Sequence, residues 1–223
     1  MGLLDADNPQ VETSATQRAY NVLRSMIVSG ELGPGEKLKI DGLRHRLDTG
    51  ASPIREALSL LTSDYLVERI DQRGFRAAPV SRDNFEEILG LRCSLEVKAI
   101  QEGLPHASAA WEESVVLAHH RMQRAQDTKD ASFEDKHKAF HMSLLAGASA
   151  PILLKFCSQL YDLNIRYRFL AARSPEYKSR DVSEEHALIL KSAVDRDVDA
   201  LSTRLLDHYR ETGKYLASFF ADA

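Results

Sequence analysis

Cysteine is scarce in this 223-residue chain. Its two copies, Cys93 and Cys157, stand far apart and form no CxxC pair, which excludes a disulfide framework and a zinc ribbon and marks both as reduced core residues. Long apolar runs are missing too. No stretch approaches the roughly 18–20 residues of a membrane helix, and Met1–Gln10 lacks the basic-then-apolar order of a signal peptide. The sequence therefore predicts a cytoplasmic protein with no membrane partner. No Gly-rich phosphate loop, GxSxG elbow or Cys/His nucleophile pair occurs, and no internal repeat or low-complexity tract. With 43% hydrophobic and 28% charged residues, what is left is ordinary globular composition, enough for one large or two small domains.

An overall basic excess is also lacking, since the net charge is −4, which argues against wholesale nucleic-acid binding. The average hides a division along the chain. Residues 1–12 carry three acids and no Lys or Arg, residues 13–80 carry ten Lys/Arg against eight acids, and residues 81–223 carry nineteen against twenty-two. Seven of the eight histidines follow residue 100, so a mildly basic first third and a His-rich remainder suit different partners.

Periodicity gives the same division. From Thr13, Ala19, Val22, Leu23, Met26 and Ile27 recur at helical spacing until Gly30 and the Gly33-Pro34-Gly35 turn. Ile40–Leu47 reads as a short second helix, and a third follows the Thr49-Gly50-Ala51 turn, with Ser52 expected as N-cap and Pro53 as first helical residue. Leu66–Ile70 and Phe75–Pro79 read as a β-hairpin around Asp71-Gln72-Arg73-Gly74. Beyond a boundary near residue 80 the pattern is helical throughout, in about six segments: 82–102, 107–127, 131–146, 151–172, 182–194 and 197–220. Their short connections predict an antiparallel bundle. The expected organisation is an N-terminal tail over 1–12, a winged helix-turn-helix over 13–80 and an all-α domain over 81–223, mainly α overall.

A helix-turn-helix works by placing its second helix in the major groove while other elements grip phosphate. Gly50-Ala51 supplies the small residues of the turn, and Ser52 and Arg55 fall on the first turn of the recognition helix. Arg44, Arg46, Arg69 and Arg73 are within reach of the DNA backbone. The pattern alone also fits a structural three-helix unit.

Three stretches go further: Val28 to Leu38, with its Gly33-Pro34-Gly35, Ser52-Pro53-Ile54-Arg55-Glu56-Ala57-Leu58, and Leu66 to Arg69 with Arg73-Gly74-Phe75. Together they resemble the winged-helix domain of GntR-family transcription regulators over residues 17–80. The resemblance implies that Arg55 and the residues before Pro53 contact DNA and that the wing tip around Gly74 enters the minor groove. Most members have Arg where this chain has Ala51, so the operator sequence does not carry over. From Glu86 to about Tyr215 the chain resembles the all-helical FCD ligand-binding domain of one branch of that family. Leu91-Arg92, Leu95-Glu96, Phe140-His141, Glu185-His186 and His208 carry the likeness. Within the branch, His137-Lys138-Ala139-Phe140-His141 and Arg166-Tyr167-Arg168-Phe169 look most like the carbon-starvation-induced regulators of glutarate catabolism.

His137 and His141, at i and i+4, place their Cβ atoms roughly 5–6 Å apart on one helix face, close enough to share a metal. By themselves they read first as packed or solvated side chains. The resemblance adds His186 and His208 at ligand positions, and it puts His137 where the subgroup usually has Asp. The implied site is four neutral imidazoles, suited to a divalent transition metal, zinc or nickel foremost, rather than magnesium or calcium. Such a cation receives carboxylates, and Arg92, where the family uses Arg, would bind another carboxylate with its planar fork. The alternative for Arg92 is a surface salt bridge with Glu96. Asn164 and Arg168, i and i+4 on the long fourth helix of the bundle, are expected to line the same cavity.

His45, His106, His119 and His120 are expected to be exposed, Glu112, Glu113, Glu184 and Glu185 to be solvated helix starts, and Phe219-Phe220 to be core or dimer packing. The expected function is a homodimeric repressor of a catabolic operon that binds double-stranded operator DNA and answers to a small carboxylic acid. It is not expected to be an enzyme. The rival is a metal-dependent hydrolase built on the HxxxH helix, but Lys138 stands where a zinc peptidase needs its Glu base. A third reading is a DNA-binding protein whose helical part only dimerises.

Overall fold

The computed structural model describes residues 14–178 and 180–220, so the tail expected over 1–12 lies outside the described residues. The chain divides into two compact units at the junction of Pro79 and Val80.

In the first unit, α1 (Ala15–Val28) starts at Ser14, whose side chain accepts a hydrogen bond from the Gln17 N–H. It buries Ala19, Leu23, Met26 and Ile27 and leaves Val22 exposed. Gly30 ends the segment at φ +73°, a left-handed conformation that glycine adopts without strain. Helix α2 (Ile40–Leu47) buries only Leu43 and is followed by the turn into α3 (Ala51–Ser63). Helix α3 starts two residues before the expected place: Gly50 is the N-cap, without a side-chain bond, and Ser52 and Pro53 are the second and third helical residues. Proline is tolerated there because the first-turn N–H groups have no helical acceptor. Ile54, Ala57, Leu58 and Leu61 form its buried stripe, and α1 packs on α3.

The expected hairpin is β2 (Val67–Ile70) and β3 (Gly74–Ala77), antiparallel with Val67 opposite Ala77 and Ile70 opposite Gly74. The sequence reading missed a third strand, β1 (Lys37–Leu38), which pairs antiparallel with β3 and puts Leu38 opposite Phe75, giving the order β1-β3-β2. Val67, Phe75, Ala77 and Leu38 are buried. Gly74 turns the tip at φ +92° in open space.

The second unit is helical: α4 (Arg82–Gly103), a 3-10 turn (Leu104–His106), α5 (Ala109–Asp127), α6 (Phe133–Leu145), α7 (Pro151–Ala171), α8 (Ser183–Val194), α9 (Val198–Ala217) and a closing 3-10 turn (Ser218–Phe220). The caps follow from composition. Ser81, Ser108 and Asp197 each accept a backbone N–H of the turn they start, and Pro151 takes the first position of α7. Helix α4 packs against α7 and α9, α5 against α6 and α8, and α8 against α9. The end of α4 runs so close to the α6–α7 connection that a Cβ on Gly103 would stand 2.2 Å from the Ala148 nitrogen, so only glycine fits. Trp111, Val115, Met122, Phe140, Leu144 and Ile189 belong to the apolar core. Beside it, the same helices bury Arg92, Glu96, His137, His141, Asn164, His186 and His208. Burying that much polar surface in a bundle calls for partners or ligands. No helix is long and apolar enough to cross a membrane, among the described residues.

Candidate functional site

In the first unit the residues singled out for DNA all face solvent. Ser52 and Arg55 stand on the exposed side of the first turns of α3, opposite its buried stripe, and Arg73 and Gly74 form the exposed tip between β2 and β3. Arg44 lies on α2, 3.5 Å from Asp41, Arg46 pairs with Glu31, and Arg69 is exposed.

In the second unit, His137 and His141 of α6, His186 of α8 and His208 of α9 come together, with one ring nitrogen from each within 4.8 Å of the others and all four side chains buried. The ring centroids of His137 and His186 lie 5.0 Å apart, and those of His186 and His208 lie 4.8 Å apart. Three of the rings are oriented by an outer partner. His208 Nδ1 donates to the Glu185 carboxylate at 2.8 Å, and His137 Nδ1 meets the Tyr161 hydroxyl. Tyr209 gives its single proton to Glu96, so its oxygen accepts from His141 Nδ1 at 2.9 Å. Burial raises the Tyr161 and Tyr209 phenols, which keeps both protonated. An imidazole that spends its N–H on Nδ1 carries its lone pair on Nε2. The Nε2 atoms of His137 and His141 face each other at 3.3 Å. That separation matches a metal centre, since metal–nitrogen bonds of about 2.1 Å give coordination edges of roughly 3.0–3.4 Å.

His186 is 0% exposed, and neither of its ring nitrogens has a hydrogen-bond partner. A buried imidazole with both nitrogens orphaned is costly without a ligand. All four rings are kept neutral, the form a metal ligand needs: burial pushes His137 and His141 well below the usual imidazole range and His186 to about 3. Burial also lowers His208, against the opposing pull of Glu185. The residues present therefore fit a metal, with His137, His141, His186 and His208 as its holders.

A cavity of about 340 Å³ opens beside the cluster and is lined in part by His137, His208, Arg92, Asn164 and Arg168, so it gathers the three expected effector residues and two of the histidines. Arg92 is no surface ion pair. It is 4% exposed, donates from Nε to Glu96 at 2.7 Å and from Nη1 to the Asn164 side-chain oxygen at 3.0 Å, and sits over the Tyr209 ring at 3.9 Å. Burial opposes its charge, but Glu96 and the two tyrosines outweigh that and raise its pKa. Its Nη2 and the Asn164 Nδ2 are buried without partners, two donors placed for an anion's oxygens. Arg168 is ion-paired to Glu134, and burial lowers it to about 10.

Three expectations fail here. His119 is not exposed but buried with its ring edge on Phe140 at 5.1 Å, because α5 turns that face toward α6. Glu185 is not merely a solvated helix start: it holds His208 and pairs with Arg180. Cys157 is buried as expected, but Cys93 is only half-buried. Sequence reasoning also missed Tyr161, Tyr209 and Glu134. Glu134 falls three residues before His137 on the same face, a spacing that could have flagged it, whereas the tyrosines touch their histidines only across helices.

Comparison with known proteins places the two units. The family model of bacterial regulatory proteins, gntR family, matches residues 15–76, and the FCD domain model matches residues 87–211. The HTH-type transcriptional regulator BphR of Paraburkholderia xenovorans strain LB400 is 31% identical over 92% of this chain and 86% of its own length. The HTH-type transcriptional repressor GlaR of Escherichia coli K12 is 28% identical over 85% of this chain and 90% of its own. The solved structure of E. coli McbR/YncC shares the fold, with a TM-score of 0.80, 20% identity and coverage of 93% and 99% of the two chains. These models and relatives are transcription regulators rather than enzymes, and the hydrolase alternative gains nothing from them. Lys138, in the place of a zincin base, is paired instead with Asp162 at 2.7 Å. The chain belongs to the GntR family of bacterial DNA-binding transcription regulators, in the branch that joins the winged helix to an FCD domain.

Proposed function

We propose that this regulator is a cytoplasmic, homodimeric repressor of a catabolic operon, with a DNA-binding domain over residues 13–80 and an effector- and metal-binding domain over 81–223. His137, His141, His186 and His208 hold a divalent transition metal, zinc or nickel. The observation that carries this is His186, fully buried with both nitrogens unpartnered amid three imidazoles that each bring a ring nitrogen within 4.8 Å of the others. When bound, the metal supplies a fixed positive charge that attracts a carboxylate. The Arg92 Nη2 and Asn164 Nδ2 donors take oxygens of the same small acid, and Arg168 completes that wall of the cavity. On the DNA side, Ser52 and Arg55 read base edges from α3, while Arg44, Arg73 and Gly74 engage the backbone and the minor groove.

The test is elemental analysis of the purified protein together with mass spectrometry of the acids that co-purify. About one zinc or nickel per chain and a carboxylate that a chelator releases are expected. A protein that takes up no transition metal when offered one would end this reading and leave the histidines structural.

A further inference from the structure

The cavity that holds the proposed carboxylate receptor has a second polar point that the metal and Arg92 do not explain. Glu134 sends one carboxylate oxygen to Arg168, while its other oxygen is buried and has no partner. The remaining cations are spoken for as well. Arg180 pairs with Glu185 and donates to Thr212 at 3.1 Å. Away from the metal and Arg92, then, the wall offers no uncompensated positive charge among the described residues, but it does offer an orphaned acceptor. A second carboxylate would meet the Glu134 charge, whereas a hydroxyl would satisfy its free oxygen. The same cavity is lined by the aromatic residues Phe85, Phe133, Phe169, Tyr177 and Tyr215. Asn164 and Arg168 lie one helical turn apart on α7, a rise of about 6 Å, which suits an aromatic ring with a substituent at each end.

Resting on the metal-and-carboxylate reading above, we infer that the effector is an aromatic monocarboxylic acid bearing a hydroxyl group. Glu134 is the residue that selects it, by cancelling Arg168 and so rejecting dicarboxylates. Charge-paired Arg168 is thus a wall rather than a receptor, and the ring fills the aromatic belt.

The experiment is calorimetric titration of the zinc-loaded full chain with 4-hydroxybenzoate, benzoate and glutarate. Wild type should bind 4-hydroxybenzoate about tenfold or more tighter than glutarate, and tighter than benzoate. Glu134→Gln should keep its zinc, lose the preference for the hydroxylated ring and gain about tenfold for glutarate as Arg168 is released. Glutarate matching or exceeding 4-hydroxybenzoate on wild type overturns this inference alone, as does an unchanged ranking in a zinc-containing Glu134→Gln. Zinc-loaded protein that binds none of the three acids overturns it together with the carboxylate part of the proposed function. Zinc content and melting report whether the variant is folded, and the wild-type ranking decides the matter without it.

Discussion

A neutral imidazole has one lone pair to offer, and its other nitrogen decides where that pair points. Here Glu185 and Tyr209 make that decision for His208 and His141, and Tyr161 holds the ring of His137 in place. His141→Ala or His208→Ala should therefore strip the metal and the response to the acid, yet leave operator binding measurable, because neither residue belongs to the winged helix. Arg92→Ala should keep the metal and weaken the acid, and Tyr209→Phe, which removes an outer partner only, should cost roughly 10–100-fold in metal affinity. Metal analysis and acid titration on the three kinds of variant separate these outcomes. Unchanged metal content in both His variants would refute the ligand set. The same four rings make the metal-free protein acid-sensitive. Their folded pKa values lie below the unfolded value of about 6.5, so on acidification the unfolded chain takes up protons that the folded chain refuses. The stability they allow is present above about pH 6.5 and drains away as the pH falls toward their folded values, about 3 for His186. Chelator-treated protein should melt progressively lower from pH 7 to pH 5, and a flat melting profile over that span would contradict the burial of neutral histidines.

Helix α3 shows how an element separates folding from reading. Its Ile54, Ala57, Leu58 and Leu61 stripe is sealed, and Arg55 stands on the other side. Arg55→Ala should leave the melting temperature and metal content alone and remove most operator affinity, since a bidentate base contact is worth about 1–3 kcal/mol and a dimer loses it twice. Wild-type affinity in a gel-shift titration of that variant would mean that α3 is not the reading element. The same helix marks what the sequence could reveal. Its apolar stripe is local periodicity and was legible, as were the bounds of α2, α4 and α7 to within a residue, because Ser81, Gly103 and Pro151 punctuate them. The N-cap of α3 was misplaced because Ser52 and Gly50 are both acceptable caps and only the backbone path chooses. Strand β1 escaped because two residues carry no period; its existence depends on β3 lying alongside. The four histidines were legible only with the family likeness, since His186 and His208 sit far along the chain from His137. Tyr161 and Tyr209 act on their histidines through contacts between helices, which spacing along one chain does not encode.

For the whole molecule, the proposed dimer follows from DNA geometry rather than from any surface of this chain. One winged helix of this size offers α3 and the tip between β2 and β3, too little to pick out one operator, whereas two-fold symmetry doubles the readout over a palindrome. The charge distribution fits the same picture. The protein is acidic overall at −4, so affinity has to come from local cations such as Arg44, Arg55, Arg69 and Arg73 rather than from a general field. Each phosphate that Arg44, Arg69 and Arg73 neutralise releases counterions, so operator affinity should fall steeply with salt. Arg73→Ala or Arg44→Ala should reduce the slope of log affinity against log salt by about one unit for every phosphate left unneutralised in each half-site. Arg55→Ala should instead lower affinity with little change of slope, because reading a base edge displaces few counterions. Sedimentation at micromolar concentration should report a species of two chains, and footprinting should show protection symmetric about a centre. A monomer in the centrifuge together with an asymmetric footprint would defeat the dimer, and equal salt slopes for all three variants would defeat the division between phosphate-gripping and base-reading arginines.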